Sequence, residues 1–314
     1  MQTLRLPLGA WIEAFVDFLG DTFGWFFDAV AVALGTVYDG LAWLLVTPPF
    51  WVIIAVFAAL AFWVKGAKLA IGTALGLLLI VLVDQWDNAM DTLALVLVAS
   101  AIATAISVPV GIWAAGNEHV SRAVRPVLDF LQTMPAFVYL IPAIIFFGVG
   151  AVPGMIATIL FALAPGVRLT ELGIRGVDQE VVEAGHAFGA SPARILRQIQ
   201  LPLARPSIMA GVNQIIMLSL SMVVIAGIVG AGGLGGEITR AIGRINVGLG
   251  FEAGISIVII AMILDRLTSA FATPTVPRTR RRGVAAASQD GAGSDDGATR
   301  SATAPEPGVP VGTA

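Results

Sequence analysis

Long apolar runs, repeated along most of its length, constrain this chain more than any other feature. They cover about 50–64, 68–83, 92–115, 127–149, 155–173, 208–229 and 254–272. A helix needs about twenty apolar residues to cross a bilayer, and several of these runs approach or exceed that. Backbone groups in lipid must also be satisfied within the protein. An all-α integral membrane protein of about seven transmembrane helices follows. Composition agrees, with 57% hydrophobic and 12% charged residues in 314, where a soluble domain is about a quarter charged. Trp residues cluster near the ends of the runs, where amphipathic rings sit well.

The flanks differ from the runs. Residues 9–46 carry Trp11, Phe15, Phe18, Phe23, Phe26 and Val30 at spacings of one helical face. Glu13, Asp17, Asp21 and Asp28 recur on the other. That pattern predicts an amphipathic helix in the interface, or one packed on the bundle. No basic segment followed by a short apolar core opens the chain, so a cleaved signal peptide is not expected. Beyond Thr273 the chain is rich in Pro, Gly, Ala, Ser and Thr, the composition of a disordered tail. Four regions are expected: an interfacial segment at 1–47, two additional spans at 48–84, a transmembrane domain at 85–273 and the tail at 274–314.

Charge gives the expected orientation. With the polar stretch from Glu183 to Pro202 in the cytoplasm, seven spans place the amino terminus outside and the carboxyl terminus inside. Lys65, Lys68, Arg122, Arg125, Arg168, Arg175, Arg194, Arg197, Arg205, Arg278 and Arg280 to Arg282 then face the cytoplasm, as the positive-inside rule asks. Asp84, Asp87 and Asp91 face outward. The loop holding Arg240 and Arg244 is the exception, partly offset by Glu237 and Glu252. A multi-pass protein of the cell membrane, bathed in lipid, is the expectation.

The stretch from Glu183 to Pro202 reads EAGHAFGASPARILRQIQLP, too polar to lie in lipid. Asp178 and Glu180 suit a helix start. Gly189 suits a helix end. Ser191 and Pro192 suit the cap and first turn of a second helix, which Pro202 is expected to stop. A protruding helix pair with apolar and charged positions fits a groove on a partner.

Catalytic residues are not expected. No nucleophile–base pair and no metal-protease or hydrolase motif appears. There is no cysteine, and there are two histidines, so neither metal nor cofactor is expected. His186 reads as a contact residue. The glycine run at 230–236 lacks the ending of a phosphate loop and follows an apolar span, so it reads as a turn at the membrane boundary. Nothing suggests a nucleic-acid partner.

Glu183-Ala184-Gly185, then Gly189 after three residues, then Ile199-Gln200-Leu201-Pro202 after nine more, resembles the EAA loop of ATP-binding cassette (ABC) importer permeases. Gly185 departs from the second alanine of that signature. The likeness continues through Asp129 to Gly150, Asn213 to Gly235 and Ile263 to Thr268. Together these resemble the permeases of glycine betaine, proline betaine and choline importers. The resemblance implies a type I importer transmembrane domain of the MetI kind and a non-catalytic, pore-forming subunit. It implies a homodimer, a cytoplasmic subunit that hydrolyses ATP and an extracytoplasmic substrate-binding protein. Glu183, Ala184, Gly185, Gly189, Ile199, Leu201 and Pro202 would couple to the ATPase. Polar residues within spans are pore-lining candidates: Gln132, Thr133, Asn213, Gln214 and Ser221. Tyr139 joins them, because aromatic faces attract quaternary ammonium groups. Hydrogen bonding between helices is the competing role for such residues. Two rivals stand beside this reading. One is an importer of another small solute, such as an amino acid; the other is a secondary transporter that needs no motor.

Overall fold

The computed structural model describes residues 6–272, and the regular structure among them is helical. The tail at 274–314, with Arg278 and Arg280 to Arg282, lies outside the described residues.

Three long helices form the centre: α4 (Trp86–Gly116), α7 (Ala151–Arg175) and α10 (Leu201–Ile228). Small residues bring them together, as expected where lipid supplies no hydrophobic drive between helices. A methyl at Gly111 would fall 2.6 Å from Thr170 Cβ. One at Gly154 would fall 2.7 Å from Ala226 Cβ, and one at Gly173 2.6 Å from Ser207 Cβ. Gly166 leaves no room for a methyl beside Ser107 and Ile215. Around this centre lie α2 (Phe50–Lys65), α3 (Ala67–Leu82), α11 (Gly233–Arg244) and α12 (Val247–Ala272). Met90, Leu93, Leu234 and Ile260 are buried where α4, α11 and α12 meet.

Among the described residues, five helices are long and apolar enough to cross a membrane, or six if one bent pair counts as a span. The count is roughly that of the expected fold of about seven, and the helices depart from the expected spans in three places. First, α1 (Leu8–Val46) is one 39-residue helix, kinked at Phe23, and itself of spanning length and hydropathy. The aromatic residues Trp11, Phe15 and Phe18 are exposed. Leu34, Tyr38, Leu41 and Leu45 pack on the bundle, and Phe27 stacks on Phe146 with centroids 4.3 Å apart. Second, α2 and α3 have 16 residues each, about 24 Å of helix, less than the apolar thickness of a bilayer. They form a hairpin turned by Gly66 at φ +83°, and Lys65 Nζ reaches Ser269 Oγ at 2.8 Å.

Third, the expected fourth span is broken. The connection around Arg122 is already helical, in α5 (Glu118–Thr133), capped by Asn117 Oδ1, which accepts from the His119 N–H at 2.9 Å. The chain then turns by 96° into α6 (Ala136–Phe147). Pro135 explains the break. It lacks an N–H and drives the preceding residue out of helical geometry; Met134 accordingly has ψ 135°.

The glycine run is more than a boundary turn. Gly230 and Gly232 make the turn at positive φ, and the chain at once starts α11. There a methyl at Gly227 would collide with the Gly235 backbone, and one at Gly235 with the Val223 carbonyl. Thr92 Oγ1 accepts from the Leu234 N–H at 2.8 Å, satisfying one of the free donors at the start of α11. Arg240, discordant in the charge census, pairs with Glu237 at 2.6 Å.

Candidate docking site and translocation path

The loop that leaves α7 begins with α8 (Gln179–Ala187). Asp178 caps it, its carboxylate accepting from the Glu180 N–H at 3.0 Å. Gly189 ends it at φ +74°, the left-handed conformation that glycine adopts without strain. The Gly189 N–H donates to His186 O at 2.9 Å, and the Ala190 N–H to Gly185 O at 3.1 Å. These two bonds are a Schellman motif, which satisfies carbonyls at the helix end.

Ser191 then opens α9 (Pro192–Ile195), with Pro192 in the first turn. The Ser191 hydroxyl makes no capping bond; its carbonyl accepts from Arg194 and Ile195 at 2.9 and 3.0 Å. Pro202 does not stop this helix. A π-helical turn spans Leu196–Gln200 and leads directly into α10. The wider turn comes just before Pro202, where the ring would crowd a regular α turn. Helical structure is therefore continuous over Pro192–Ile228, 37 residues. The second half of the loop is the end of a spanning helix, so a pull on it acts directly on the core.

α8 folds back on this lever. Val182 packs with Leu196 and Leu201 over the buried Ile174, Val177 and Ala204. Gly185 sits against Ile195 and Ile199, and an added methyl would lie 2.9 Å from Ile199 Cδ1. Glycine here permits close approach. In Gly185→Ala the clash meets the mobile end of Ile199, and the helix gains about 1 kcal/mol in propensity. The variant should keep wild-type uptake and thermal stability to within about 1 kcal/mol.

Glu183, Ala184, His186, Arg194, Arg197, Gln198 and Pro202 are exposed, and no residue of α8 is buried. Ile199 and Leu201 are half-buried and belong to the seat beneath α8. Phe188 stands out at 91% exposure, in the cap between α8 and Gly189. Sequence reading did not single it out. The signal was present: an aromatic residue in a polar loop, at a helix end just before the glycine that closes it. Central aromatic anchors carry much of the energy of interfaces. Phe188→Ala should weaken association with a docking partner by about tenfold or more, with unchanged melting of the isolated chain.

The pore candidates divide. Gln214 and Ser221, seven residues apart, are exposed on α10, as is Met217 between them; Ser221 Oγ donates to Met217 O at 3.0 Å. Gln132 and Thr133 are exposed at the end of α5. Asn213 is engaged elsewhere. It donates to Asp265 Oδ1 at 3.0 Å and accepts from Thr268 Oγ1 at 2.7 Å, tying α10 to α12. Tyr139 is 7% exposed among Ala157, Met222 and Val229, and its hydroxyl has no partner among the described residues.

Residues 107–281 match the family described as binding-protein-dependent transport system inner membrane component. The glycine betaine transport system permease protein OpuAB of Bacillus subtilis is 49% identical over 264 residues, 84% of this chain and 94% of the relative. The glycine betaine/carnitine transport permease protein GbuB of Listeria monocytogenes is 50% identical, over 85% and 95%. The glycine betaine/proline betaine transport system permease protein ProW of Escherichia coli is 45% identical, over 88% and 78%. The fold also matches an inward-facing structure of the MetNI methionine ABC transporter, with TM-score 0.54 and 24% identity over 60% of this chain and 95% of that one. The chain belongs to the inner membrane components of binding-protein-dependent transport systems, in the branch of the glycine betaine transport permeases.

Proposed function

We propose that this permease subunit carries glycine betaine or a closely related quaternary amine into the cell, driven by ATP hydrolysis on a separate cytoplasmic subunit. The single observation behind the drive is the loop from α8 to the π turn. It is exposed, well ordered by its own caps, and continuous with α10. Glu183, Ala184, Gly189, Pro202 and Phe188 meet the ATP-binding subunit, with Gly185, Ile199 and Leu201 holding the loop's shape. Differential contact of that subunit with two states of the loop supplies the work.

The cargo rests on near full-length likeness to permeases of glycine betaine systems. A substrate-binding protein delivers it to the outer face, and two copies of the chain enclose the path. Gln132, Thr133, Gln214 and Ser221 line that path, and Tyr139 and Asn213 act from behind it. The amino terminus faces outward and the basic loops face the cytoplasm. Residues 85–273 form the translocating domain, to which 1–47, 48–84 and the tail at 274–314 are added.

Uptake of labelled glycine betaine by vesicles carrying the assembled importer tests this. Transport should require ATP and fall with excess unlabelled proline betaine or choline. Equal uptake without ATP would refute the motor; competition by an amino acid alone would refute the cargo.

A further inference from the structure

α5 is weakly anchored by apolar contact. Its buried residues are Leu128 and Ser121, and Leu128 packs with Ala164 and Val167 of α7. Ser121 is held by charge instead. Its hydroxyl donates to Glu171 Oε1 at 2.7 Å. The same oxygen receives Arg125 Nη2 from α5 at 3.2 Å and Arg175 Nε from α7 at 3.1 Å. Arg175 also reaches Glu118 Oε2 and the Ala114 carbonyl, both at 2.9 Å. Arg168 of α7 pairs with Asp129 of α5. Glu171 is 7% exposed, so one buried carboxylate ties the end of α7 to α5, and its partner Arg175 reaches on to α4.

Its position in the chain gives this brace a direction. Arg175 is the last residue of α7, and Asp178, the cap of α8, follows three residues later. Ile174, beside Arg175, lies under Val182 of α8. On the other side α5 ends in the 96° break before α6, at Gln132 and Thr133.

We propose that Glu171 is a positioning residue that couples movement of the docking loop to α5 and, through the break at Pro135, to the translocation path. The inference rests on the docking function proposed above. When the loop moves, the end of α7 moves with it, and the carboxylate carries α5 along. Without that charge, α5 keeps the Leu128 contact and the exposed Arg168–Asp129 and Arg175–Glu118 pairs but loses its buried tie and slips relative to α7, so the ATPase turns over without moving cargo.

The test uses the assembled importer in proteoliposomes and reads cargo moved per ATP hydrolysed. Glu171→Gln keeps the size and a hydrogen-bond acceptor but loses the charge. It should lower that ratio by about tenfold, the scale of a charged hydrogen bond, with assembly intact and ATP turnover retained. Arg125→Gln, an exposed change, should also lower the ratio, and the double variant should be no worse than Glu171→Gln, because the two act through one bond. Glu171→Asp should recover part of the ratio. Unchanged ratios in Glu171→Gln and Arg125→Gln, or uptake and ATPase falling in parallel with the amount of assembled protein, would reduce Glu171 to a static brace and overturn the proposal. A wild-type assembly that moves glycine betaine without ATP would overturn the docking reading and this inference with it.

Discussion

Gly189→Asp and Glu183→Lys should each abolish uptake while the chain still inserts in the membrane. At Gly189 two effects add. A side chain at φ +74° costs about 1 kcal/mol, and it disturbs the turn whose N–H groups bond His186 O and Gly185 O. The aspartate also places a charge beside the exposed Phe188. Glu183→Lys leaves the fold alone, since Glu183 is exposed, and reverses the charge presented to the partner. Each change should weaken docking by at least about thirtyfold, the loss typical of an interface hot spot. Membrane fractionation and uptake in the same cells separate the two effects. Normal insertion with lost uptake is the expected pair of results.

The second large effect concerns folding. Gly227→Val should leave little extractable, monodisperse protein. The added carbons would occupy the Gly235 backbone, which cannot rotate aside as a side chain does. Overpacking of this kind costs about 3 kcal/mol or more, a large share of a typical domain's stability. Gly235→Val should behave alike, because its Cβ meets the Val223 carbonyl. Gly236→Ala, with open space around it, is the control and should extract normally.

Such neighbours explain what the amino-acid sequence shows and what it hides. The ends of α8 were legible because they are local: Asp178 caps its own helix, and Gly189 closes it within five residues. Apolar runs made α4, α7, α10 and α12 legible for the same reason. The loop before α10 carries its family resemblance within twenty residues. Pro202 misled because a proline reads as a stop, while here a π turn just before it makes room for the ring and the helix continues. Pro109, Pro142 and Pro206 likewise lie inside helices, whereas Pro135 breaks one. The residue type does not distinguish these outcomes; packing does.

Long-range polar pairs were invisible for a related reason. Arg125, Arg168 and Arg175 counted only as cytoplasmic charge, yet Arg125 and Ser121 meet Glu171 across 46 and 50 residues. Asn213 had the composition of a pore residue. The fold pairs Asn213 and Asp265 with each other instead. In a bundle, a polar residue on a span can face a path or a neighbouring helix, and periodicity alone separates the two poorly. The kinked α1 shows the same limit. Its acidic and aromatic stripes left the interface and the bundle both open, and its later turns pack on the bundle through Tyr38 and Leu45.

Cross-linking at position 188 tests the central claim, that the loop before α10 is where ATP drives this permease. The chain has no cysteine, so Phe188→Cys introduces a single thiol at a 91% exposed site. A short thiol-to-amine cross-linker applied to membranes containing the assembled importer should join the chain to its ATP-binding subunit and stop glycine betaine uptake. Cysteine at Gly9, on α1 and with open space around it, should do neither. Free position 188 in a working importer, with no adduct to the ATP-binding subunit, would contradict the account.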